Sequence, residues 1–336
     1  MDARLRETLS GLDLRAEIER LRKERNAVIL AHYYQTPELQ DMADFVGDSL
    51  ELSRKAAETD ADVIAFCGVR FMAEVAKILS PQKTVILPDM DAGCSLEDSC
   101  PPDEFGAFRA AHPDHLSLTY INCSAAVKAH SDIIVTSSSA EKIINALPKE
   151  QKIIFAPDKH LGAWLNRKTG RDMLLWDGTC IVHEAFSETE LLKLKMQYPE
   201  APVAAHPECP AHILDHADMI GSTSAILKFA LESPSEIIIV ATEPHIIHQM
   251  EKKAPGKVFI GAPGADGKCS CNMCPYMALN TVEKLYLSLR DLKPELDVPE
   301  ALRVRALLPL NRMLAIASGA ATDLTPAQTM PPVTGD

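Results

Sequence analysis

Cysteine is the residue type with the widest chemistry in this chain, which has nine cysteines among 336 residues. The first 25 residues are charged and helical in pattern, unlike an export signal. An odd number of cysteines in such a chain indicates metal ligands, reactive thiols or small buried residues rather than a disulfide framework. A site in which three of these cysteines bind a metal centre as thiolates, with one metal position left open, would suit a 4Fe-4S cluster or a catalytic zinc ion. The all-thiolate set favours iron.

Local spacing alone does not identify the cysteines of such a site. Cys271 and Cys274 form a C-x-x-C pair, with Cys269 two residues earlier, which read alone resembles half of a zinc knuckle or a redox pair. No second C-x-x-C completes a knuckle. Four other cysteines are predicted to be buried small residues, since free cysteine is commonly buried: Cys67, Cys100, Cys123 and Cys209.

Side chains that transfer protons or bind anions recur at fixed distances from three aspartates, Asp44, Asp132 and Asp218, which are 88 and 86 residues apart. Twelve residues before them lie His32, Tyr120 and His206; ten before lie Tyr34, Asn122 and Glu208; five after lie Ser49, Ser137 and Thr223. Cys94 and Cys180 follow the first two aspartates by 50 and 48 residues, while Cys269, Cys271 and Cys274 all remain candidates in the third copy. The spacing predicts an internal triplication.

The elements that must position these residues are short β-branched runs alternating with helical patterns, typical of parallel sheets covered by helices. Each copy reads as βαβαβαβ; the first contains VILAHYY, DFVGDS, DVIAFCG and TVILP. We predict an α/β fold of three homologous αβα units with parallel sheets around a pseudo-threefold axis. Ligands of parallel sheets bind beyond the carboxyl ends of the strands, where the matched polar residues fall. Each unit would then supply part of one site.

Length and composition set the remaining expectations. A chain of 336 residues exceeds the usual size of one core, and we assign repeats to 1–110, 111–195 and 196–318, with a disordered tail at 319–336. A net charge of -13 excludes a nucleic-acid partner, which requires basic surface. No apolar run approaches the roughly 20 residues that span a bilayer, so we expect a cytoplasmic protein without a membrane partner.

The motifs that carry these residues resemble those of the quinolinate synthase family from about residue 26 to 318. They are AHYYQTPELQDMADFVGDSL, PDMDAGCSLEDSC, TYINCSAAVKAHSDIIVTSS, WDGTCIVHEAF, HPECP, DMIGSTSAI and CNMCPYM. The resemblance implies three αβα units around a 4Fe-4S cluster. It also implies condensation of iminoaspartate with dihydroxyacetone phosphate to quinolinate, with loss of phosphate and water, on the route to NAD. An aspartate oxidase is a possible supplier of iminoaspartate.

Carried over by motif, the family's cluster ligands fall on Cys94, Cys180 and Cys274, with the fourth iron open to substrate. Its active-site residues fall on His32, Tyr34, Ser49, Tyr120, Asn122, Ser137, His206, Glu208, Ser222 and Thr223. A role for His183, three residues after Cys180, stays open. Some members have C-x-x-C-x-x-C where this chain has C-x-C-x-x-C, which leaves the roles of Cys269 and Cys271 open.

These assignments lead to a mechanistic hypothesis with two rivals. The hydroxyl-bearing turns at Ser49, Ser137 and Thr223 would anchor carboxylates and phosphate at helix N-termini, although a hydroxyl there also caps helices. Tyr34 and Glu208 would serve enolisation and dehydration, with His32 and His206 orienting the triose. One rival is another hydro-lyase with an open iron. The other is an iron-sulfur electron carrier or redox sensor, but an electron carrier does not need the many acid, base and hydroxyl groups at the matched positions.

Overall fold

The computed structural model describes residue 9, residues 11–265 and residues 272–320. The chain forms two compact units. The first unit comprises Met1–Gly93 and Pro275–Val298, and the second comprises Cys94–Cys274 and Pro299–Asp336. Cys269 and Cys271, and the predicted tail from residue 321 onward, lie outside the described residues.

The first unit holds one four-stranded parallel sheet, in the order β2-β1-β3-β4. Its strands are β1 Ala27–His32, β2 Phe45–Gly47, β3 Val63–Cys67 and β4 Thr84–Ile86. Its helices are α1 Leu14–Glu24, α2 Pro37–Met42, α3 Ser49–Glu58, α4 Arg70–Leu79 and α15 Val282–Asp291, with a 3-10 turn at Met277–Leu279. Ile29, Ala65 and Leu285, all fully buried, belong to the core between this sheet and its helices.

The second unit holds two four-stranded parallel sheets of the same strand order, β6-β5-β7-β8 and β10-β9-β11-β12. The strands of one are β5 Leu116–Tyr120, β6 Ile133–Val135, β7 Ile153–Ala156 and β8 Leu174–Leu175. The strands of the other are β9 Val203–Ala205, β10 Met219–Ile220, β11 Ile237–Ala241 and β12 Val258–Gly261. The prediction of three parallel αβα units is therefore confirmed.

The strands within each sheet of the second unit are connected by helices, as parallel pairing requires, and further helices precede its first strand and follow its last. They are α5 Ser95–Asp98, α6 Pro102–Ala110, α7 Ala125–Ala129, α8 Ala140–Ala146, α9 Lys159–Thr169, α10 Ile181–Glu184, α11 Glu188–Gln197, α12 Ala211–Leu214, α13 Thr223–Glu232, α14 Ile246–Lys253 and α16 Glu300–Ser318. Among the described residues, no helix is both long and apolar enough to cross a membrane.

The three register aspartates have one structural role in all three sheets. Each lies immediately before the second strand, and its Oδ2 accepts a 2.8 Å hydrogen bond from a backbone N–H of the first strand, fifteen residues earlier. The donors are the N–H groups of Ile29, Ser117 and Val203. Each aspartate thus provides a hydrogen-bond acceptor for a backbone N–H of the first strand. Its recurrence reflects a structural role in the fold rather than a catalytic one.

The turns after the second strands are shaped by helix caps. Asp48 caps α3 by accepting from the N–H groups of Leu50 and Glu51. The carboxylate of Glu51 in turn accepts from Asp48 N, which completes a capping box. Ser222 caps α13 by accepting from Ala225 N. These caps fix the positions at which Ser49 and Thr223 begin their helices.

Candidate active site

The three cysteines singled out by the motifs all lie in the second unit, on turns between elements. Cys94 and Cys180 directly precede the short helices α5 and α10, and all three cysteines are partly exposed. Ser95 joins the first two turns, because its Oγ donates to Thr179 O at 3.4 Å and accepts from Ile181 N at 3.2 Å. Cys274 N donates to the carboxylate of Glu243 at 3.3 Å.

The thiols are close enough to influence one another electrostatically. Burial raises the pKa of Cys94 well above its ordinary value, and the charge of Cys274 raises it further. Burial likewise raises the pKa of Cys180, with added contributions from Glu208, Cys94 and Cys274. Such a group deprotonates readily only when a cation compensates the negative charge, so the donor set fits a metal centre.

Glu208, which is 3% exposed, is the centre of the polar network in the second unit. Its Oε1 accepts a 2.6 Å hydrogen bond from the hydroxyl of Tyr120, and its Oε2 lies 3.0 Å from His183 Nδ1. Burial acts to raise the pKa of Glu208, but the nearby His183 and His206 and the hydrogen bond from Tyr120 outweigh burial and lower it. Glu208 is therefore a buried carboxylate held in its ionised form.

Two histidine rings stack beside this carboxylate. The centroids of His183 and His206 are 4.9 Å apart with an interplanar angle of 28°. His206 Nδ1 accepts from Glu208 N at 3.4 Å, so in the neutral ring the proton is on Nε2, which lies 3.3 Å from Ser137 Oγ. His183 Nε2 lies 3.0 Å from Thr242 Oγ1.

The cysteine site and the polar network of Glu208 meet at Cys180, His183 and Glu208. A sulfur, a ring nitrogen and a carboxylate oxygen from these three residues all lie within 4.8 Å of one another, so they could hold a metal ion. The structure thus places His183 in contact with Glu208 and beside a predicted cluster ligand, which the sequence had left open. Its spacing of three residues from Cys180 was the available signal.

Two polar side chains of the second unit, Asn122 and Ser222, differ in whether their oxygen atoms have hydrogen-bond partners. Asn122 Oδ1 is buried and has no hydrogen-bond partner among the described residues. Such an atom carries a desolvation cost unless a ligand or water pairs with it. Ser222 Oγ instead caps its helix at 3.3 Å and lies 3.2 Å from Ser224 Oγ, so the capping role is realised there.

The first unit carries His32, Tyr34 and Ser49. His32 is buried at the end of β1, and its Nδ1 accepts from Tyr34 N at 3.1 Å, the same bond that His206 makes with the N–H two residues later in the third repeat. The rings of His32 and Tyr34 meet edge to face with centroids 4.5 Å apart. Ser49 is the first residue of α3. The repeated histidine-to-backbone bond supports the register inferred from sequence.

Sequence reasoning missed a second row of residues that follow the third strands. Thr242 and Glu243 come directly after β11, and Asp158 comes two residues after β7; all three are almost fully buried. Glu243 is within hydrogen-bond distance of Cys274 N and of His245 Nδ1. The register compared the ends of the first and second strands and the cysteines beyond the fourth strands, so residues after the third strands gave no matched signal. Cys67, Cys100, Cys123 and Cys209 are buried, as predicted.

Comparison with known proteins gives one consistent result. The sequence model of the family described as quinolinate synthetase A protein matches residues 16–315. Proteins named quinolinate synthase are similar along most of their length: that of Nostoc sp. strain PCC 7120 is 60% identical over 307 residues, covering 91% of this chain and 94% of the relative. The corresponding proteins of Microcystis aeruginosa (59% identical, 91% and 95% covered) and Trichodesmium erythraeum (60%, 91% and 94%) agree. The chain therefore belongs to the quinolinate synthetase A protein family.

Proposed function

We propose that this chain is a quinolinate synthase, which condenses iminoaspartate with dihydroxyacetone phosphate to quinolinate, with loss of phosphate and water, in NAD biosynthesis. The observation that carries the proposal is the buried, ionised Glu208 bonded to Tyr120 and adjoining His183 and Cys180. Carbon–carbon condensation followed by dehydration needs repeated proton transfers beside a centre that stabilises oxygen anions. Relatives named quinolinate synthase, similar over about nine-tenths of the chain, support the same activity.

We further propose that Cys94, Cys180 and Cys274 hold a 4Fe-4S cluster with one iron lacking a protein ligand. The three-thiol donor set supports this proposal, as does the elevation of the pKa values of Cys94 and Cys180, which burial causes and the neighbouring thiols increase. When bound, such a cluster supplies a Lewis acid for a substrate oxygen or carboxylate. Zinc would also accept three ligands, so metal analysis is part of the test.

The protein's own groups bind and orient the substrates. The unpaired Asn122 Oδ1 is buried and can accept from a substrate N–H or O–H, while Ser137 Oγ and His206 Nε2 lie 3.3 Å apart and can share a substrate oxygen. Thr223 stands at the N-terminus of the ten-residue helix α13, where the helix dipole favours an anion. We also propose His32 and Ser49 of the first unit as substrate ligands, because they occupy the positions of the family motif that bind substrate.

Proton transfer is proposed to centre on Glu208 and Tyr34. Glu208 is proposed as the proton acceptor, and Tyr120, whose hydroxyl lies 2.6 Å away, as the group that returns a proton. His206 keeps a fixed tautomer because Glu208 N donates to its Nδ1, which leaves Nε2–H to orient the triose oxygen. Tyr34, whose ring packs on His32, is proposed for the enolisation step.

The deciding experiment is an anaerobic assay of the purified chain with iminoaspartate and dihydroxyacetone phosphate. We expect quinolinate and inorganic phosphate in equal amounts, from a brown protein with about four irons per chain. A protein that carries iron but forms no quinolinate would point to the hydro-lyase or electron-carrier alternatives, and a colourless zinc protein would overturn the cluster. Coupling to an aspartate oxidase, the proposed source of iminoaspartate, tests the supply of the unstable substrate.

A further inference from the structure

Lys128 is a fully buried lysine beside the proposed substrate loop of the second repeat. It lies on α7, and its Nζ donates to Ile121 O at 2.9 Å and also to Cys123 O. These two carbonyls flank Asn122, the residue whose side-chain oxygen is buried and unpaired. The ammonium group therefore holds the backbone on both sides of a proposed substrate ligand.

Gln40 makes the same arrangement in the first repeat. It lies on α2, is 2% exposed, and its Nε2 donates to Tyr33 O at 2.9 Å and to Gln35 O at 2.7 Å. These carbonyls flank Tyr34. Counted from the matched residues His32 and Tyr120, both donors stand at position +8, both carbonyl pairs at +1 and +3, and both flanked residues at +2.

The third repeat replaces this arrangement. Position +8 from His206 is Leu214, which is buried on α12, and Glu208 at +2 is flanked by Pro207 and Cys209. There the side chain of Glu208 is itself bonded to Tyr120 and adjoins His183. A leucine therefore suffices to pack the short helix against its sheet, so helix packing does not require a buried polar donor at this position.

Burying an amide or an ammonium group is costly unless hydrogen bonds compensate. In both repeats the buried donor binds the carbonyls on both sides of the +2 residue, and this arrangement points to a role in holding that residue. We propose that Gln40 and Lys128 are positioning residues that fix the loops carrying Tyr34 and Asn122 in their working conformations. The inference rests on the proposed function, because it assigns Tyr34 to proton transfer and Asn122 to substrate binding.

The test compares near-isosteric variants that remove the donor, Lys128→Met and Gln40→Met, in the cluster-loaded chain. Lys128→Met is expected to raise KM about 10-fold or more with a smaller change in kcat, and Gln40→Met to lower kcat by a similar factor with a smaller change in KM, since displacements of about 1 Å in a site cost up to 100-fold. Lys128→Gln, which supplies the donor used in the first repeat, should recover most of the loss.

Lys257 provides the matched control. Its Nζ donates to Ala230 O at 2.9 Å and Leu231 O at 3.2 Å, and it precedes β12, at the strand end opposite to the proposed site. Lys257→Met should destabilise the second unit yet leave KM and kcat within about twofold of wild type, because distant sites act independently.

Hydrogen exchange of residues 120–128, measured without substrate, separates the two proposals. Faster exchange in Lys128→Met but not in Lys257→Met supports the positioning role even if the wild type forms no quinolinate. Unchanged exchange and unchanged kinetics in Lys128→Met would overturn it, as would a Lys128→Gln variant as impaired as Lys128→Met. If Lys128→Met does not fold, Gln40→Met and Lys128→Gln decide by the same criteria.

Discussion

The hydroxyl of Tyr120 donates a 2.6 Å hydrogen bond to the carboxylate of Glu208, although the two residues are 88 positions apart in the chain. Tyr120 ends the first strand of the second repeat, and Glu208 follows the first strand of the third. The bond joins equivalent edges of two sheets in one compact unit. It thereby places a hydroxyl donor against a buried carboxylate, the pair to which the proposed mechanism assigns proton transfer.

Glu208→Gln is expected to reduce kcat by at least about 100-fold, since it removes a proton acceptor. Tyr120→Phe keeps the ring but deletes the donor, and we expect a smaller loss with a shifted pH–rate profile. Tyr198→Phe, at a partly exposed tyrosine whose hydroxyl accepts from Gln197, is the control. Visible absorbance of the cluster should persist in all three variants; near-normal turnover by Glu208→Gln would remove Glu208 from the mechanism.

Replacing any one of Cys94, Cys180 or Cys274 by Ser should abolish the brown colour and lower the iron content from about four per chain toward zero. Cys67→Ala should retain the iron. Burial raises the pKa of Cys67 to about 12, so this thiol should also resist alkylation at pH 8 in the native protein. Iron retained by Cys274→Ser would instead direct attention to Cys269 and Cys271.

Gly178→Ala should impair cluster binding although it alters no ligand. A Cβ at Gly178 would lie 2.4 Å from Ser99 Oγ and 2.5 Å from Pro157 O, and the second atom is backbone that cannot easily move. Gly178 is two residues before Cys180 and forms an isolated bridge to Asp158, so displacement of this segment would move that ligand. Gly256→Ala, where nothing lies within 4 Å of the added carbon, should bind iron normally; equal iron content in both variants would contradict the prediction.

The register aspartates should differ in their contributions to stability. Asp132 is fully buried and accepts from Arg109 through both carboxylate oxygens at 2.6 Å, whereas Asp218 is exposed. Asp132→Asn leaves a buried guanidinium without its charge partner and should cost about 3–5 kcal/mol. Asp218→Asn retains an oxygen for Val203 N and should cost under about 1 kcal/mol. Urea unfolding of the cluster-loaded variants would measure both, and equal losses would refute the distinction.

His130 should make the second unit less stable in mild acid. Burial, followed by the charges of Arg305 and Arg109, lowers the pKa of His130, with Asp103 opposing. The unfolded chain therefore binds a proton near pH 6.5 that the folded chain binds only at lower pH, so stability present above pH 6.5 is lost as pH falls toward the folded pKa. His130→Gln should lose less stability than wild type between pH 7.5 and pH 5.5 in urea titrations; parallel losses would exclude His130 as the cause.

The three βαβαβαβ repeats could be predicted from the order of the amino acids, because the period of apolar runs and the recurrence of Asp44, Asp132 and Asp218 are local features of the chain. The aspartates recur because each pairs a backbone N–H fifteen residues earlier, a bond within one repeat. The ends of two first strands could also be predicted, since His32 is the last residue of β1 and Tyr120 is the last residue of β5. Strand-end positions are readable from sequence since they depend on neighbouring residues along the chain.

Hydrogen bonds and electrostatic contacts between distant residues could be seen only in the folded chain. The contact of His183 with Glu208, the pairing of Tyr120 with Glu208, and the bond from Cys274 N to Glu243 each join residues 25 or more positions apart. Glu243 and Thr242 follow a third strand, where the repeats carry no common residue type. Such partners depend on how sheets and turns pack in three dimensions, and the pKa of a buried carboxylate is set by that packing rather than by its position in the chain.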